Sequence, residues 1–370
     1  MKAFLIIAAC LAASASAVKL TVSGSSLMYG GEKVYLSGAN AAWNSYGYDF
    51  GNGGYDGSLE TWLAEVKAAG GNSFRIWVHV EGYSTPNFDS DGYVTACDRT
   101  GDFINDVKKF LDAAQANDIL VTLTLWNGAV MGNQAYINLV WDDSKLQTYL
   151  DNCLAPLASA LSGHPALAAY EAINEPEGSV RVESNSNSCY DTTVIGQSGA
   201  GWTGVGIPME RFLTFIGKQN IVIKQNDPSA LVTLGSWGQF PQSDAFSNTK
   251  NHYSDACLNG AAGSGAQLDF YQMHTYDWGS SWSPNAPFTV SASDYKLDRP
   301  IVIGEFASVC SLNTPLSDLH NYAYSHGYAG TWTWHWTATG GCSDTRQVQA
   351  DGLATLADRT DNGLVNIDVR

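Results

Sequence analysis

Ala169-Tyr-Glu-Ala-Ile-Asn-Glu-Pro176 and Pro300-Ile-Val-Ile-Gly-Glu-Phe306 are two short stretches in which an apolar run stops at a glutamate. These glutamates are Glu175 and Glu305. Each run has the length and apolar character of a strand buried on both faces, as strands of parallel sheets are. The two motifs therefore predict a parallel sheet with a carboxylate at the carboxyl end of two different strands.

Strand-like and helix-like stretches alternate along the rest of the chain. The predicted strands are 34–38, 73–78, 119–125, 167–174, 231–236, 268–274, 300–305 and 328–334. Between them, apolar residues recur at helical spacing, as they do in 59–66. This alternation predicts a parallel α/β sheet, and eight units predict a single closed (β/α)8 TIM barrel. Long loops after strands two, three and four are expected to wall a substrate cleft.

The amino terminus predicts export. Residues 1–17 have a basic start, a short apolar run and a small-residue cleavage site, Ala15-Ser16-Ala17, which is typical of a secretory signal peptide. The mature chain is then 18–370, one catalytic domain that no linker divides. No later run is long and apolar enough to predict a transmembrane helix. The net charge of −17 argues against nucleic acid and anionic membranes as partners.

Six cysteines remain once the predicted signal peptide, which contains Cys10, is removed: Cys97, Cys153, Cys189, Cys257, Cys310 and Cys342. An even number in a secreted chain favours three disulfides that stabilise the barrel, in a connectivity that the sequence leaves open. Cys310 and Cys342 follow strands seven and eight and form one plausible pair. The spacing contains no Cys-x-x-Cys metal signature, so zinc is not expected.

The two glutamates suggest the cleavage of a glycosidic bond, because that chemistry needs two facing carboxylates. Glu175 suits a general acid/base, whose pKa burial beside a second carboxylate would raise. Asn174 could bond the sugar 2-hydroxyl. Glu305 suits a nucleophile that forms a covalent glycosyl-enzyme, and a separation of about 5 Å would predict retention of configuration. Each glutamate also has an interpretation without a catalytic role. Glu175 could belong to a Glu-Pro pair that simply ends a strand, and Glu305 could be a solvated glutamate at a strand end.

This arrangement resembles glycoside hydrolase family 5, whose barrels use an acid/base on strand four and a nucleophile on strand seven. The resemblance covers essentially the whole mature chain. It implies that Arg75, in Phe74-Arg-Ile-Trp77, bonds the nucleophile and keeps it ionised. It also implies that His274 and Tyr276 contact substrate and nucleophile, and that Trp334 floors the central sugar site.

Within the family, six stretches are similar to the animal β-mannanases of molluscs and arthropods (subfamily 10): Ser37–Trp43, Leu125–Ala129, Asn174–Gly178, Leu234–Trp237, His274–Trp278 and Val302–Phe306. The likeness implies a secreted, monomeric endo-β-1,4-mannanase that acts on mannan, glucomannan and galactomannan without metal or organic cofactor, plausibly in digestive fluid. One alternative is an endo-β-1,4-glucanase with the same catalytic pair. Trp126-Asn127 disfavours it, since many family cellulases have a histidine there. A non-catalytic sugar-binding barrel is the other alternative, and the two intact carboxylates argue against it.

Further aromatic and acidic residues lie at or just after predicted strand ends. Four tryptophans there could stack on sugars, or could simply pack a loop against the core: Trp126, Trp237, Trp278 and Trp282. Trp336 is expected at the rim of the cleft. Three carboxylates near strand ends are expected to be solvated charges at that rim: Glu81, Glu177 and Asp277.

Overall fold

The computed structural model describes residues 18–277 and 279–370. The predicted signal peptide, 1–17, and the candidate stacking residue Trp278 lie outside these residues. Within the described ranges, no helix is long and apolar enough to cross a membrane.

Eight parallel strands close into a barrel, which confirms the predicted (β/α)8 fold. They are β1 Leu36–Ala42, β2 Ser73–Val80, β3 Leu120–Trp126, β4 Leu167–Asn174, β5 Leu231–Ser236, β6 Tyr271–His274, β7 Ile301–Glu305 and β8 Gly330–Thr333. Each strand pairs with the next along the chain, and β8 pairs with β1. Every residue of all eight strands is buried, as expected of strands that have side chains on one face and helices on the other.

Helices surround the barrel. They are α1 Ser58–Ala68, α2 Phe103–Ala116, α3 Gln134–Trp141, α4 Asp143–Tyr149, α5 Ala155–Leu161, α6 Thr193–Gly196, α7 Met209–Asn226, α8 Asp255–Ala262, α9 Leu316–Ser325 and α10 Arg346–Ala354. A π-helical turn, Leu150–Leu154, joins α4 to α5. Between β6 and β7, the described part of the chain has only the 3₁₀ turn Ala292–Tyr295. The predicted apolar stripe of 59–66 is the buried face of α1.

The first and last described residues lie together at the amino-terminal end of the barrel. A three-stranded antiparallel sheet, Leu20–Ser23, Ser26–Tyr29 and Glu32–Val34, leads into β1. The last residues run back to it, since the Leu364 amide donates to the Lys33 carbonyl and the Val18 amide donates to the Arg370 carbonyl. The long loops lie at the opposite end of the barrel, where the strands end.

Three disulfides link the loops and helices around the barrel. Cys310–Cys342 joins the segments after β7 and β8, as the sequence predicted. Cys97–Cys153 ties the loop after β2 to the π-helical turn, and Cys189–Cys257 ties the loop after β4 to α8. Because each closes a loop of tens of residues, each restricts the unfolded chain and stabilises the folded one.

Candidate active site

Arg75 is the centre of a hydrogen-bond network at the carboxyl end of the barrel. Its side chain is fully buried on β2 and donates to three elements. Nη1 donates to Asn40 Oδ1 at 2.7 Å and to Glu305 Oε1 at 2.8 Å, and Nη2 donates to Asn174 Oδ1 at 2.8 Å. The predicted contact between Arg75 and Glu305 is therefore present, and Arg75 links the strand-four motif to the strand-seven motif.

Glu171 is the second ionic partner of Arg75, and the sequence analysis missed it. Its two carboxylate oxygens accept from Arg75 Nε and Nη2, each at 2.6 Å, and the pair is fully buried. Thr124 Oγ1 and Gln272 Nε2 also donate to Glu171 Oε2, at 3.0 and 2.9 Å. Burial alone would raise the pKa of Glu171, but the charge of Arg75 more than offsets it and holds that pKa below its ordinary value.

Two glycines make room for this network. A Cβ at Gly235 would lie 2.7 Å from Glu171 Oε1 and 2.8 Å from His274 Nε2, which is closer than real side chains approach. A Cβ at Gly304 would collide with the side chain of Gln272. The buried side-chain amide of Gln272 therefore fills the space beside Gly304.

Two asparagines fix the strand ends on either side of Arg75. Asn40 Nδ2 donates to the carbonyl of Gly304 at 2.8 Å, so the end of β1 holds the residue before the Glu305 carboxylate. Asn174 Nδ2 donates to Asn127 Oδ1 at 3.1 Å. Since an amide has two N–H groups, Asn174 retains one for a further acceptor.

Glu305 is held from two sides at the end of β7. Arg75 donates to Oε1, and the Tyr276 hydroxyl donates to Oε2 at 2.9 Å. Burial raises the pKa of Glu305, while the Arg75 guanidinium and the Tyr276 hydroxyl oppose that rise. Both oxygens accept hydrogen bonds, which favours the ionised form that a nucleophile needs.

Glu175 has a different environment, although it lies beside Glu305. Its backbone takes a left-handed conformation, with φ 40°, and its amide donates to the carbonyl of Gly235 at 2.6 Å. Oε1 lies 2.7 Å from His274 Nδ1. Burial raises the pKa of Glu175 to about 7, and Arg75, which makes no direct bond to it, lowers that pKa only in part. Glu175 is therefore a carboxyl that stays substantially protonated near neutral pH.

His274 lies between the two carboxyl groups. Its Nδ1 is 2.7 Å from Glu175 Oε1 and 3.5 Å from Glu305 Oε2. Burial lowers the pKa of His274 to about 4, so its ring is neutral at neutral pH and adds no charge to the centre. One oxygen of each carboxyl and a nitrogen of His274 all lie within 4.8 Å of one another. That spacing matches the short separation of retaining glycosidases, in which one carboxyl is the acid/base and the other the nucleophile.

Known proteins with similar sequences and folds identify the family of this chain. Residues 30–340 match the family described as Cellulase (glycosyl hydrolase family 5). The chain belongs to glycosyl hydrolase family 5. It is 46% identical to a mannan endo-1,4-beta-mannosidase of Cryptopygus antarcticus over 95% of its length and 94% of that protein's. The crystal structure of a β-1,4-D-mannanase from the same organism has a TM-score of 0.93, covering 95% of this chain and 99% of that one. An endo-1,4-β-mannanase structure from Eisenia fetida has a TM-score of 0.94 at 45% identity, covering 95% and 100%.

Trp334 lies beside the pair in this family 5 site. It is half-buried, and its amide donates to the carbonyl of Phe306, the residue after Glu305, at 2.7 Å. Its ring belongs to an aromatic cluster with Trp43 and Trp77, at centroid distances of 6.0 and 5.9 Å. The role of Trp334 as the floor of the central sugar site stays a prediction.

Two other tryptophans were predicted wrongly. Trp126 is fully buried, and its indole stacks on Tyr136 at 4.5 Å and meets Tyr149 edge-on, so it packs between barrel and helices and cannot reach a sugar. Trp336 is also buried rather than at the rim, and its Nε1 donates to Glu65. By contrast, Trp237 and Trp282 are partly exposed and stay candidates.

The acidic residues near the strand ends are not fully solvated charges at the rim of the cleft. Glu81 is buried and accepts from the Tyr46 hydroxyl at 2.5 Å and from the Gly132 amide at 2.6 Å. Glu177 is fully buried, accepts from the Tyr253 hydroxyl, and has a pKa that burial raises to about 8. Both were expected to be solvated, and the loops that fold over them are the reason they are not. Asp277 is half-buried and accepts from a backbone amide.

The three groups Glu175, His274 and Glu305 also have a spacing that could hold a cation. The Arg75 guanidinium, which donates to Glu305 at 2.8 Å, would be a positive charge close to such a cation. The expectation of a metal-free site stays a prediction, which activity in the presence of a chelator would test.

Proposed function

We propose that this protein is a retaining endo-β-1,4-mannanase, with Glu175 as the acid/base and Glu305 as the nucleophile. The observation that carries the proposal is the pair of carboxyl groups with one oxygen of each within 4.8 Å of the other. Burial raises the pKa of Glu175 to about 7, whereas Arg75 and Tyr276 donate to both oxygens of Glu305. The relatives named as mannan endo-1,4-beta-mannosidases, at 46% and 41% identity, support the choice of mannan.

The reaction follows from these two environments. Glu175 donates its proton to the glycosidic oxygen while the Glu305 carboxylate attacks the anomeric carbon, which releases the leaving sugar and forms a covalent glycosyl-enzyme. Glu175, now deprotonated, takes a proton from water, and the water attacks the same carbon to free Glu305. Neutral His274 keeps the Glu175 carboxyl in place through both steps. The remaining N–H of Asn174 is available to the sugar 2-hydroxyl, where charge redistribution strengthens the bond in the transition state.

The cellular setting is a further part of the proposal. Three disulfides are compatible with secretion, because such bonds persist in oxidising compartments. We propose that residues 1–17 are cleaved on export and that the mature enzyme acts as a monomer on mannan, glucomannan or galactomannan in an extracellular fluid such as digestive fluid.

The substrate and the stereochemistry can be tested in one series. We expect faster release of oligosaccharides from mannan than from carboxymethylcellulose, because the relatives are named for mannan. Proton NMR of the first products should show the β-anomer, since a double displacement retains configuration. Faster hydrolysis of the cellulose derivative would replace mannanase by endo-glucanase, and an initial α-anomer would remove the covalent mechanism.

The pH profile should report Glu175. Above pH about 7 its carboxyl loses the proton that the leaving group needs, so kcat/KM on mannan is expected to fall about tenfold per pH unit on that side. A 2,4-dinitrophenyl β-mannobioside is the control, because its leaving group departs without a proton and its profile should stay flat there. An identical basic limb for both substrates would assign the limb to another group.

A further inference from the structure

Trp202 is an exposed tryptophan that does not lie at a strand end. It lies in the long loop after β4, and 46% of its surface is accessible to solvent. Its indole Nε1 donates to the carbonyl of Ala129 at 3.0 Å, in the loop after β3. Exposing so large an apolar ring costs free energy, and its one polar atom is bound to the protein.

The ring of Trp202 is fixed against the acid/base motif. A Cβ at Gly178, three residues after Glu175, would lie 2.6 Å from the indole, so the ring lies directly on that glycine. The surrounding backbone is held as well: the Gly201 amide donates to the Glu177 carbonyl at 2.8 Å, and the Thr203 amide donates to the Gly178 carbonyl at 2.9 Å. Trp202 is thus immobilised by the segment that follows Glu175.

Trp237 completes an aromatic pair. It is partly exposed just after β5, and its ring centroid is 5.5 Å from that of Trp202 at an interplanar angle of 52°. Its backbone amide donates to Glu177 Oε2 at 3.3 Å, so the same buried glutamate organises both tryptophans. Tyr253 in turn donates to the other oxygen of Glu177.

We infer that Trp202 and Trp237 form a sugar-binding platform on the leaving-group side of the scissile bond, positioned by Glu177. The side follows from the chemistry: Glu175 protonates the departing sugar, and the platform is built on the residues directly after Glu175. The aromatic cluster around Trp334 adjoins instead the residue after Glu305, since the Trp334 amide donates to the Phe306 carbonyl, and Glu305 becomes bonded to the other sugar. The inference rests on the proposed glycosidase function and assigns Trp202 a pyranose whose C–H face lies on its ring.

The test compares Trp202→Ala with Trp141→Ala, using two substrates. Trp141 is a matched control, because it is 43% exposed on α3. On mannohexaose, Trp202→Ala is expected to lower kcat/KM about five- to tenfold, as the loss of one aromatic contact would. The leaving group of β-mannotriosyl fluoride is a single atom, so on this substrate Trp202→Ala should have the kcat/KM of wild type. Trp141→Ala should have the kcat/KM of wild type on both substrates. Trp202→Phe, which keeps a ring, should recover most of the loss.

The cleavage position gives a second readout. When mannopentaose is hydrolysed in ¹⁸O-water, Trp202→Ala should shift cleavage towards bonds that leave fewer sugars on the platform side. Equal kcat/KM and equal cleavage positions for Trp202→Ala and wild type would overturn the inference, as would a parallel loss on the fluoride. A wild type that cleaves cellohexaose but not mannohexaose would refute the mannanase proposal alone, and the same comparison on cellohexaose would then test the platform.

Discussion

Replacement of Glu305 by alanine is expected to lower kcat on mannan more than about a thousandfold, which corresponds to about 4 kcal/mol in the activation barrier. Among the described residues, Glu305 has the one carboxylate that both Arg75 and Tyr276 hold beside Glu175, so we expect none of them to replace it as nucleophile. Binding should persist, because the aromatic cluster around Trp334 is untouched. Turnover is measured by reducing-sugar release, and binding by retardation in a mannan-containing native gel.

Loss of activity alone does not distinguish the nucleophile from the acid/base, but the product formed with azide does. In Glu305→Ala, azide can enter the vacated space and attack an activated aryl mannobioside, giving the α-mannosyl azide. In Glu175→Ala, azide should attack the covalent intermediate instead and give the β-mannosyl azide. Activity of Glu305→Ala near wild type, or the opposite configurations of the two azides, would show that the roles are misassigned.

The barrel could be predicted from sequence because its strands are buried on both faces. Such strands are continuous apolar runs, and β4 and β5 begin and end where the pattern placed them. The other strands differ from prediction by a few residues at their ends, where β6 begins at Tyr271 rather than at 268. The site pair was predictable for a related reason, since strand ends in a barrel converge on one face.

The features of the site that could not be predicted depend on contacts between residues that are distant in the sequence. Glu171 lies within a predicted strand, and a buried charge needs a partner, but only the closed barrel shows that Glu171 and Arg75 meet. Trp126 also lies at a strand end, yet its side chain faces the helices and not the cleft. Position at a strand end is therefore weak evidence that an aromatic residue contacts the substrate, because neighbouring side chains on a strand point to opposite faces.

The pair of Arg75 and Glu171 leads to the largest expected effect on stability. Glu171→Ala removes one partner of a fully buried ion pair and leaves the guanidinium with a single carboxylate, Glu305. Breaking such a pair is expected to lower the free energy of unfolding by about 3 to 5 kcal/mol, because the buried guanidinium loses both of its hydrogen bonds to Glu171 and water cannot replace them. Guanidinium chloride unfolding with the disulfides intact, followed by tryptophan fluorescence, measures the loss.

The chain contains its own control for that measurement. Arg359 and Asp361 form an equally bidentate pair, at 3.1 and 2.7 Å, on the surface. Because solvent already compensates both charges there, Asp361→Ala should change the unfolding free energy little. If both substitutions cost the same, burial is not what makes Glu171 important. If Glu171→Ala is the more destabilising and also shifts the pH profile, then the glutamate that the sequence analysis missed both stabilises the barrel and orients the guanidinium that keeps Glu305 ionised.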